Sequence, residues 1–156
     1  MSRWRLNILL CFVFCAAALP GWSFAEETTV RFAALDVHLE TAEPVAAWQF
    51  ELSEAGGRMR VVGVENGDSP AFPKAPYYDR KAVNDGRADR IIVADFTLRP
   101  GNELPVGRVR IATVHVRLTG DSGPDYVLRL VTAGNAEGKP VPAAIHLDIQ
   151  SGRKRK

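Results

Sequence analysis

The sequence predicts an all-β domain, built as an antiparallel sandwich or barrel. About seven short segments rich in β-branched and aromatic residues follow one another after Thr28, and clusters of glycine, proline and asparagine separate them. Within most segments apolar and polar residues alternate, which is typical of an antiparallel sheet with one face on a core and the other in water. No segment has the convincing apolar spacing of an amphipathic helix.

Residues 1–25 are predicted to be a cleavable secretory signal peptide. Arg3 and Arg5 form a positive start, an apolar run of about 14 residues follows from Leu6 to Leu19, and Ser23-Phe24-Ala25 offers small residues where a signal peptidase reads. The run is shorter than the ~20 residues of a membrane-spanning helix, which disfavours a transmembrane anchor. The mature protein is therefore expected to be secreted, periplasmic or at the cell surface, with no transmembrane segment after cleavage.

Removing the signal changes the composition of the mature chain. Both cysteines lie inside it, so no disulfide, thiolate metal site or cysteine nucleophile is expected. Two of the 20 lysines and arginines lie in the signal and four in the basic tail at 151–156, which leaves 14 against 18 acidic residues. This balance argues against a nucleic-acid partner, which needs a basic face. The tail is expected to be a solvated end, or else a contact to an anionic polymer or membrane.

Residues 26–150 are predicted to form one β-sandwich domain, since a chain of that size buries a single core. Thr28–Leu39 opens the domain, and a change of apolar phase predicts a bulge near Ala33-Ala34. Val45–Ser53 alternates cleanly, and its apolar phase places Trp48 in the core.

The middle of the domain is predicted to be a turn, a strand and a long loop. Gly56-Gly57 predicts a tight turn, and Met59–Glu65 is the return strand. Asp68–Arg87 contains three prolines between residues 70 and 76, and this density excludes both helix and ladder strand. Long loops in compact domains are uncommon and often functional.

Strand signals resume at Asp89. The apolar phase of the next strand contains Phe96, so Asp95 in the opposite phase is expected to face solvent, with a buried, hydrogen-bonded acid as the alternative. A change of phase between Ile111 and Ala112 predicts another bulge. Two further strands are predicted, within Tyr126–Val131 and Val141–Ile149.

Four segments of the chain resemble cohesin-like domains, which are bacterial extracellular modules. They are Val45–Leu52, Arg60–Gly67, Gly107–Val116 and Asn135–Val141. The resemblance implies an antiparallel jelly-roll β-sandwich, cohesin-like and immunoglobulin-like in its layering, with a relationship to carbohydrate-binding modules. Typical cohesins bind a calcium-loaded dockerin on a partner protein. The chain departs from the family pattern in the loop Pro70–Asp79.

That loop supplies the candidate ligand- or partner-binding residues, namely Phe72, Tyr77, Tyr78 and Asp79. Prolines lower the entropic cost of ordering a loop. Exposed aromatic rings there would stack on sugar rings or anchor a protein partner. The alternative is that the loop folds back and plugs one end of the sandwich, with its aromatic side chains as an extension of the core.

Other chemistry has weaker support in the sequence. The histidines His38, His115 and His146 lack local metal-ligand spacing and are expected on strand surfaces, with a zinc site assembled across strands as the alternative. No Gly-x-Ser-x-Gly element is present. Turn residues could bind calcium or simply supply turn chemistry; they are Asp121, Asp125, Asn135 and Glu137. No metal, cofactor or catalytic residue is predicted.

These observations together predict a non-catalytic exported binding module. The first hypothesis is association with an extracellular protein partner at or outside the cell envelope, as the cohesin resemblance implies. The alternative is a carbohydrate-binding module on the same fold, with Tyr77 and Tyr78 stacking on a polysaccharide. A small exported hydrolase is the third hypothesis.

Overall fold

The computed structural model describes residues 29–150. The predicted signal peptide at 1–25 and the basic tail at 151–156 lie outside the described residues. Among the described residues, no helix has the length and apolar character that crossing a membrane requires.

Within residues 29–150, seven strands form two antiparallel sheets, which confirms the all-β prediction. The strands are β1 (Val30–Thr41), β2 (Ala47–Glu54), β3 (Met59–Asn66), β4 (Arg90–Phe96), β5 (Gly107–Thr119), β6 (Tyr126–Gly134) and β7 (Ala143–Gln150). The four-stranded sheet has the order β3-β5-β1-β7, and the three-stranded sheet has the order β4-β2-β6. A short helix, α1 (Arg80–Asn84), and a single 3₁₀ turn at Gly101–Glu103 lie between strands.

The core lies between the two sheets. Alternate residues of β1 and β2 point inward and are fully or almost fully buried, and Trp48 retains only 1% of its exposure, as the alternation predicts. The Trp48 ring packs parallel to that of Phe50, with ring centroids 5.8 Å apart. Burial of each large side chain contributes about 1.5–3 kcal/mol to the stability of the fold.

The two predicted bulges have opposite outcomes. On β5, Ala112 pairs with Val37 of β1 and Arg110 pairs with His38, so Ile111 is the extra residue and this bulge is confirmed. The bulge predicted near Ala33-Ala34 was wrong, because β1 pairs with β5 in one unbroken register from Val30 to Val37. The apolar residues at the start of β1 do not mark a second inward phase; Phe32 lies on the outer face and is 71% exposed.

The turn at Gly56-Gly57 is present, but it does not close a hairpin. Gly57 adopts a positive φ of 67°, and its N–H donates to the Glu54 carbonyl. β2 pairs with β4 and β6, whereas β3 pairs with β5 in the other sheet. The prediction that Met59–Glu65 returns beside β2 was therefore wrong in its pairing, because alternation defines a strand's faces and not its neighbours.

The long loop contains structure that its prolines had seemed to exclude. Helix α1 begins after Asp79, whose side chain accepts a hydrogen bond from the Ala82 N–H at 2.9 Å. The helix ends near Gly86, which adopts a positive φ of 67°. The prediction of an entirely irregular loop was wrong because this capped turn starts only after the last proline.

The orientation predicted for β4 was reversed. Ile91 and Val93 are buried in the core, whereas Ile92 and Phe96 are exposed on the outer face. Both phases of this strand are apolar, so periodicity alone could not choose between them. Asp95 consequently shares the inward phase, at the end of the strand where the core opens toward solvent.

Candidate functional site

A cleft of about 580 Å³ lies between the proline-rich loop, the start of α1 and the end of β4. We call it the aromatic cleft. Its volume is within the usual range of small-ligand sites, which is roughly 300–1,000 Å³. Its lining residues are Ala71, Phe72, Pro73, Lys74, Ala75, Tyr77, Arg80, Asp95, Phe96, Thr97, Leu98 and Arg99.

Two exposed aromatic rings form the most distinctive part of the aromatic cleft. Tyr77 and Phe96 are nearly parallel, with an angle of 12° between their planes and 6.0 Å between their centroids. They are 64% and 57% exposed, respectively. The backbone of Tyr77 is fixed on the edge of β4 by hydrogen bonds to and from Ala94, at 2.8 and 3.0 Å. The backbone of both residues is therefore fixed at the edge of β4, while their stacked rings are open to solvent.

Phe72 has a different position from Tyr77. It is only 4% exposed and packs edge-on against Trp48, with ring centroids 6.0 Å apart and an interplanar angle of 70°. Its N–H donates to the Ser69 carbonyl. This side chain extends the core beneath the cleft, as in the alternative in which the loop plugs the end of the sandwich.

Tyr78 and Asp79 do not line the cleft. They lie at the start of α1, next to it. The half-buried Tyr78 ring packs against the core, and the Arg80 guanidinium carbon lies 5.1 Å from its centroid. Asp79 is the N-cap of α1. The structure thus brings only Tyr77 and Phe72 of the four predicted residues to the cleft lining, and only Tyr77 is widely exposed there.

The charged residues of the aromatic cleft are mostly cations. Lys74, Arg80 and Arg99 line it together with a single acid, Asp95. Arg99 forms an ion pair with Glu103 at 2.7 Å. Within residues 29–150, neither Lys74 nor Arg80 has an ion-pair partner.

Asp95 is a partly buried acid, contrary to the prediction that it faces solvent. Burial raises the pKa of its carboxyl group, while a hydrogen bond from the Phe96 N–H, at 2.8 Å, lowers it less strongly. The net direction is upward because the carboxylate loses water without gaining a cation. The structure is closer to the alternative prediction, a hydrogen-bonded acid, although the Asp95 side chain is only partly buried.

The histidines lie apart from the aromatic cleft, in separate pairs with carboxylates. His38 faces Asp148 at 3.4 Å, and His146 faces Glu40 at 3.0 Å. His115 faces Glu65 at 3.1 Å on another part of the same sheet. No group of three or more histidine and acidic residues suited to a metal occurs within the described part of the chain.

One of the predicted calcium residues has a visible structural task. The Asn135 side chain accepts hydrogen bonds from the backbone N–H groups of Glu137, at 3.1 Å, and Lys139, at 2.9 Å. This is the local turn chemistry that asparagine commonly supplies.

Sequence reasoning missed most of the residues that complete the aromatic cleft. Phe96 was assigned to the core because its strand is apolar in both phases. Arg80 lies in the predicted loop Asp68–Arg87 but was not among its aromatic and acidic candidates, and Leu98 shared the apolar phase of Phe96. The only sequence signal for their juxtaposition was the proline-rich loop itself, and the loop did not reveal that Tyr77 would pair with the edge of β4.

Comparison of the chain with protein-family models, with curated proteins and with solved structures found no match in any of the three. The aromatic cleft and its charged residues are therefore the features of the molecule that bear on its function.

Proposed function

We propose that the protein is an exported, non-catalytic binding module with a cohesin-like jelly-roll sandwich, and that it binds polysaccharide at the aromatic cleft. The observation that carries the proposal is the parallel, exposed pair of Tyr77 and Phe96 on a rigid strand edge. Carbohydrate binding, which was the alternative in the sequence analysis, is thus proposed in preference to association with a protein partner.

The physical reason is that a sugar ring has an apolar face of C–H bonds and a polar rim of hydroxyl groups. One face of a pyranose presents polarised C–H bonds, which are attracted to the negatively charged face of an aromatic ring. The hydroxyl groups at the rim need hydrogen-bonding partners, and Asp95, Thr97 and Arg99 line the same cleft. Because β4 already fixes the backbone of both residues, no loop has to be ordered on binding, which lowers the entropic cost.

The size of the aromatic cleft supports the same choice. A volume of about 580 Å³ fits a short stretch of a glycan chain. A stable protein interface buries roughly 1,600 Å² in total, which needs a much wider surface than the two rings.

Affinity electrophoresis of the mature protein in gels containing soluble polysaccharides tests the proposal. Tyr77→Ala and Phe96→Ala should each weaken retention at least about tenfold, as expected for loss of a stacking contact worth about 1.4 kcal/mol. Phe32→Ala is the matched control, since it removes an aromatic ring of similar exposure from the other sheet. Equal retention of all three variants would rule out the aromatic cleft as the binding site.

Protein association remains a second candidate, and one observation favours it. Leu98 is 92% exposed beside the aromatic pair, and a leucine side chain offers a sugar little. Contiguous exposed apolar residues with a charged rim commonly mark a protein contact. Leu98→Ser, which removes the apolar side chain without adding a charge to the cleft, should abolish capture of an extracellular protein partner while leaving polysaccharide retention largely unchanged. If both activities survive the substitution, Leu98 does not mark a protein contact.

A further inference from the structure

The aromatic cleft carries a positive charge on a domain that is otherwise acidic. Three cations and one acid line it. By contrast, residues 26–150 contain 14 lysines and arginines against 18 aspartates and glutamates. Arg99 is paired with Glu103, so the cations of the cleft that remain without an ion-pair partner within residues 29–150 are Lys74 and Arg80. Such a concentration of one sign in a concave site attracts ligands of the other sign.

Arg80 is the cation best placed to bind an anion. Its guanidinium group lies over the Tyr78 ring, 5.1 Å from the centroid, which restricts its orientation. Within residues 29–150 it has no carboxylate partner, whereas the next residue, Lys81, pairs with Asp85 at 2.9 Å. A guanidinium that is held in place but unpaired keeps its planar set of donors available.

The shape of that donor set selects among anions. Two parallel N–H groups of a guanidinium match the two oxygens of a planar carboxylate. Lys74 supplies a second cation without an ion-pair partner in the described part of the chain. The aromatic pair offers an adjacent surface for an apolar ring face.

From this juxtaposition, and resting on the proposed polysaccharide binding, we infer that the ligand is a uronic-acid polysaccharide. A pyranose ring stacks on the open face of the Tyr77–Phe96 pair, and its carboxylate pairs with Arg80. Asp95 also lines the cleft, but within residues 29–150 it forms no ion pair with Arg80, so it does not occupy the guanidinium.

The test compares uronate polymers with their neutral esters, which keep the same sugar backbone. Polygalacturonate, alginate and hyaluronan, each free and fully esterified, are titrated with the mature protein by affinity electrophoresis and calorimetry. At least one free polymer should bind about tenfold more tightly than its ester, and this preference should weaken as salt rises.

Two variants connect the preference to Arg80. Arg80→Gln should weaken binding of the free polymer about tenfold and leave binding of the ester unchanged. Lys81→Gln is the matched control, because it removes a charge from the same helix but not from the cleft lining, and it should change neither affinity. Arg80→Lys keeps the positive charge but loses the two parallel N–H groups, so it should give an intermediate affinity. Circular dichroism checks the fold of each variant.

The outcomes separate this inference from the proposed function. Equal affinity for the free and esterified polymers, or retention of neutral glycans alone, overturns the inference about the carboxylate and leaves polysaccharide binding intact. A preference for free polymers that Arg80→Gln does not change, or binding of the free polymer that Tyr77→Ala does not weaken, overturns it as well, since a polyanion would then be binding elsewhere. If neither neutral nor acidic polymers bind, the proposed function and the inference are both wrong.

Discussion

Replacing Glu54 with glutamine should destabilise the fold in a strongly pH-dependent way. The Glu54 side chain is fully buried, and it closes the turn where the chain crosses from one sheet to the other. Its carboxylate accepts hydrogen bonds from the Arg58 N–H at 2.8 Å and from the Arg58 guanidinium at 2.7 Å. A longer contact of 3.5 Å joins it to the N–H of Asp125, in the turn between β5 and β6. A glutamine amide would present hydrogens to one of these donors.

The magnitude follows from the pKa of Glu54. Burial alone would raise it, but the hydrogen bonds from Arg58, Asp125 and Gly56 outweigh burial and lower the pKa from 4.5 to about 2. A folded-state pKa below the unfolded value means that the carboxylate stabilises the fold above pH 4.5, and that this stabilisation is lost as pH falls toward 2. At 1.36 kcal/mol per pH unit, the full contribution at pH 7 is about 3 kcal/mol, of which about 2 kcal/mol is lost by pH 3.

Urea denaturation at pH 7 and at pH 3 measures this effect. The difference in unfolding free energy between the wild-type protein and Glu54→Gln should be about 3 kcal/mol at pH 7 and about 2 kcal/mol smaller at pH 3. Glu137→Gln is the control, since that glutamate is exposed and forms no ion pair within residues 29–150, and it should follow the wild-type protein at both values. A difference for Glu54→Gln that is the same at both pH values would refute the role assigned to its charge.

Substitutions at three further residues, each measured by urea denaturation, test how the aromatic cleft is supported. Phe72→Ala should cost about 3–5 kcal/mol because it empties a buried site beside Trp48; a loss below 1 kcal/mol would contradict its burial. Asp79→Ala should cost about 1 kcal/mol by removing the cap of α1, and Asp79→Ser should restore most of it. Burial raises the pKa of Asp95, so its ionisation destabilises the fold as pH rises above the ordinary value; Asp95→Asn should therefore be more stable at pH 7, an advantage that should vanish near pH 3. An advantage that persists unchanged at pH 3 would mean that the charge of Asp95 is not its source.

The sequence was most informative where a strand is apolar on one face only. In β2, a single apolar phase defined both the strand and its buried side, including Trp48. In β5, the shift of phase at Ile111 corresponded to a real extra residue. In both strands, burial of one face is directly visible as alternation of apolar and polar residues.

Where both faces are apolar, the sequence could not specify orientation. β4 carries Ile91 and Val93 on its inner face and Ile92 and Phe96 on its outer face, so the two phases are equivalent by composition. The choice is made by packing against the other sheet. Because the predicted orientation of β4 was reversed, Phe96 was not predicted to be a binding residue.

The composition of the candidate site depended on contacts that are distant along the chain. The proline-rich loop was identified as important, but a list of its aromatic residues could not show that Phe72 turns inward and Tyr77 outward. That difference arises because the Tyr77 backbone bonds to Ala94, whereas the Phe72 ring packs on Trp48. Nor could local patterns reveal that Arg80 lacks a carboxylate partner among the described residues.

Amide chemical shifts recorded during a titration with the best-retained oligosaccharide test the central claim most directly. Binding at the aromatic cleft should shift the amide signals of Tyr77, Ala94 and Phe96 in a saturable way. The signals of Phe32 and His38, on the outer face of the other sheet, should stay unchanged. Shifts confined to that other face, with Tyr77 and Phe96 unaffected, would contradict the assignment of the aromatic cleft as the binding site.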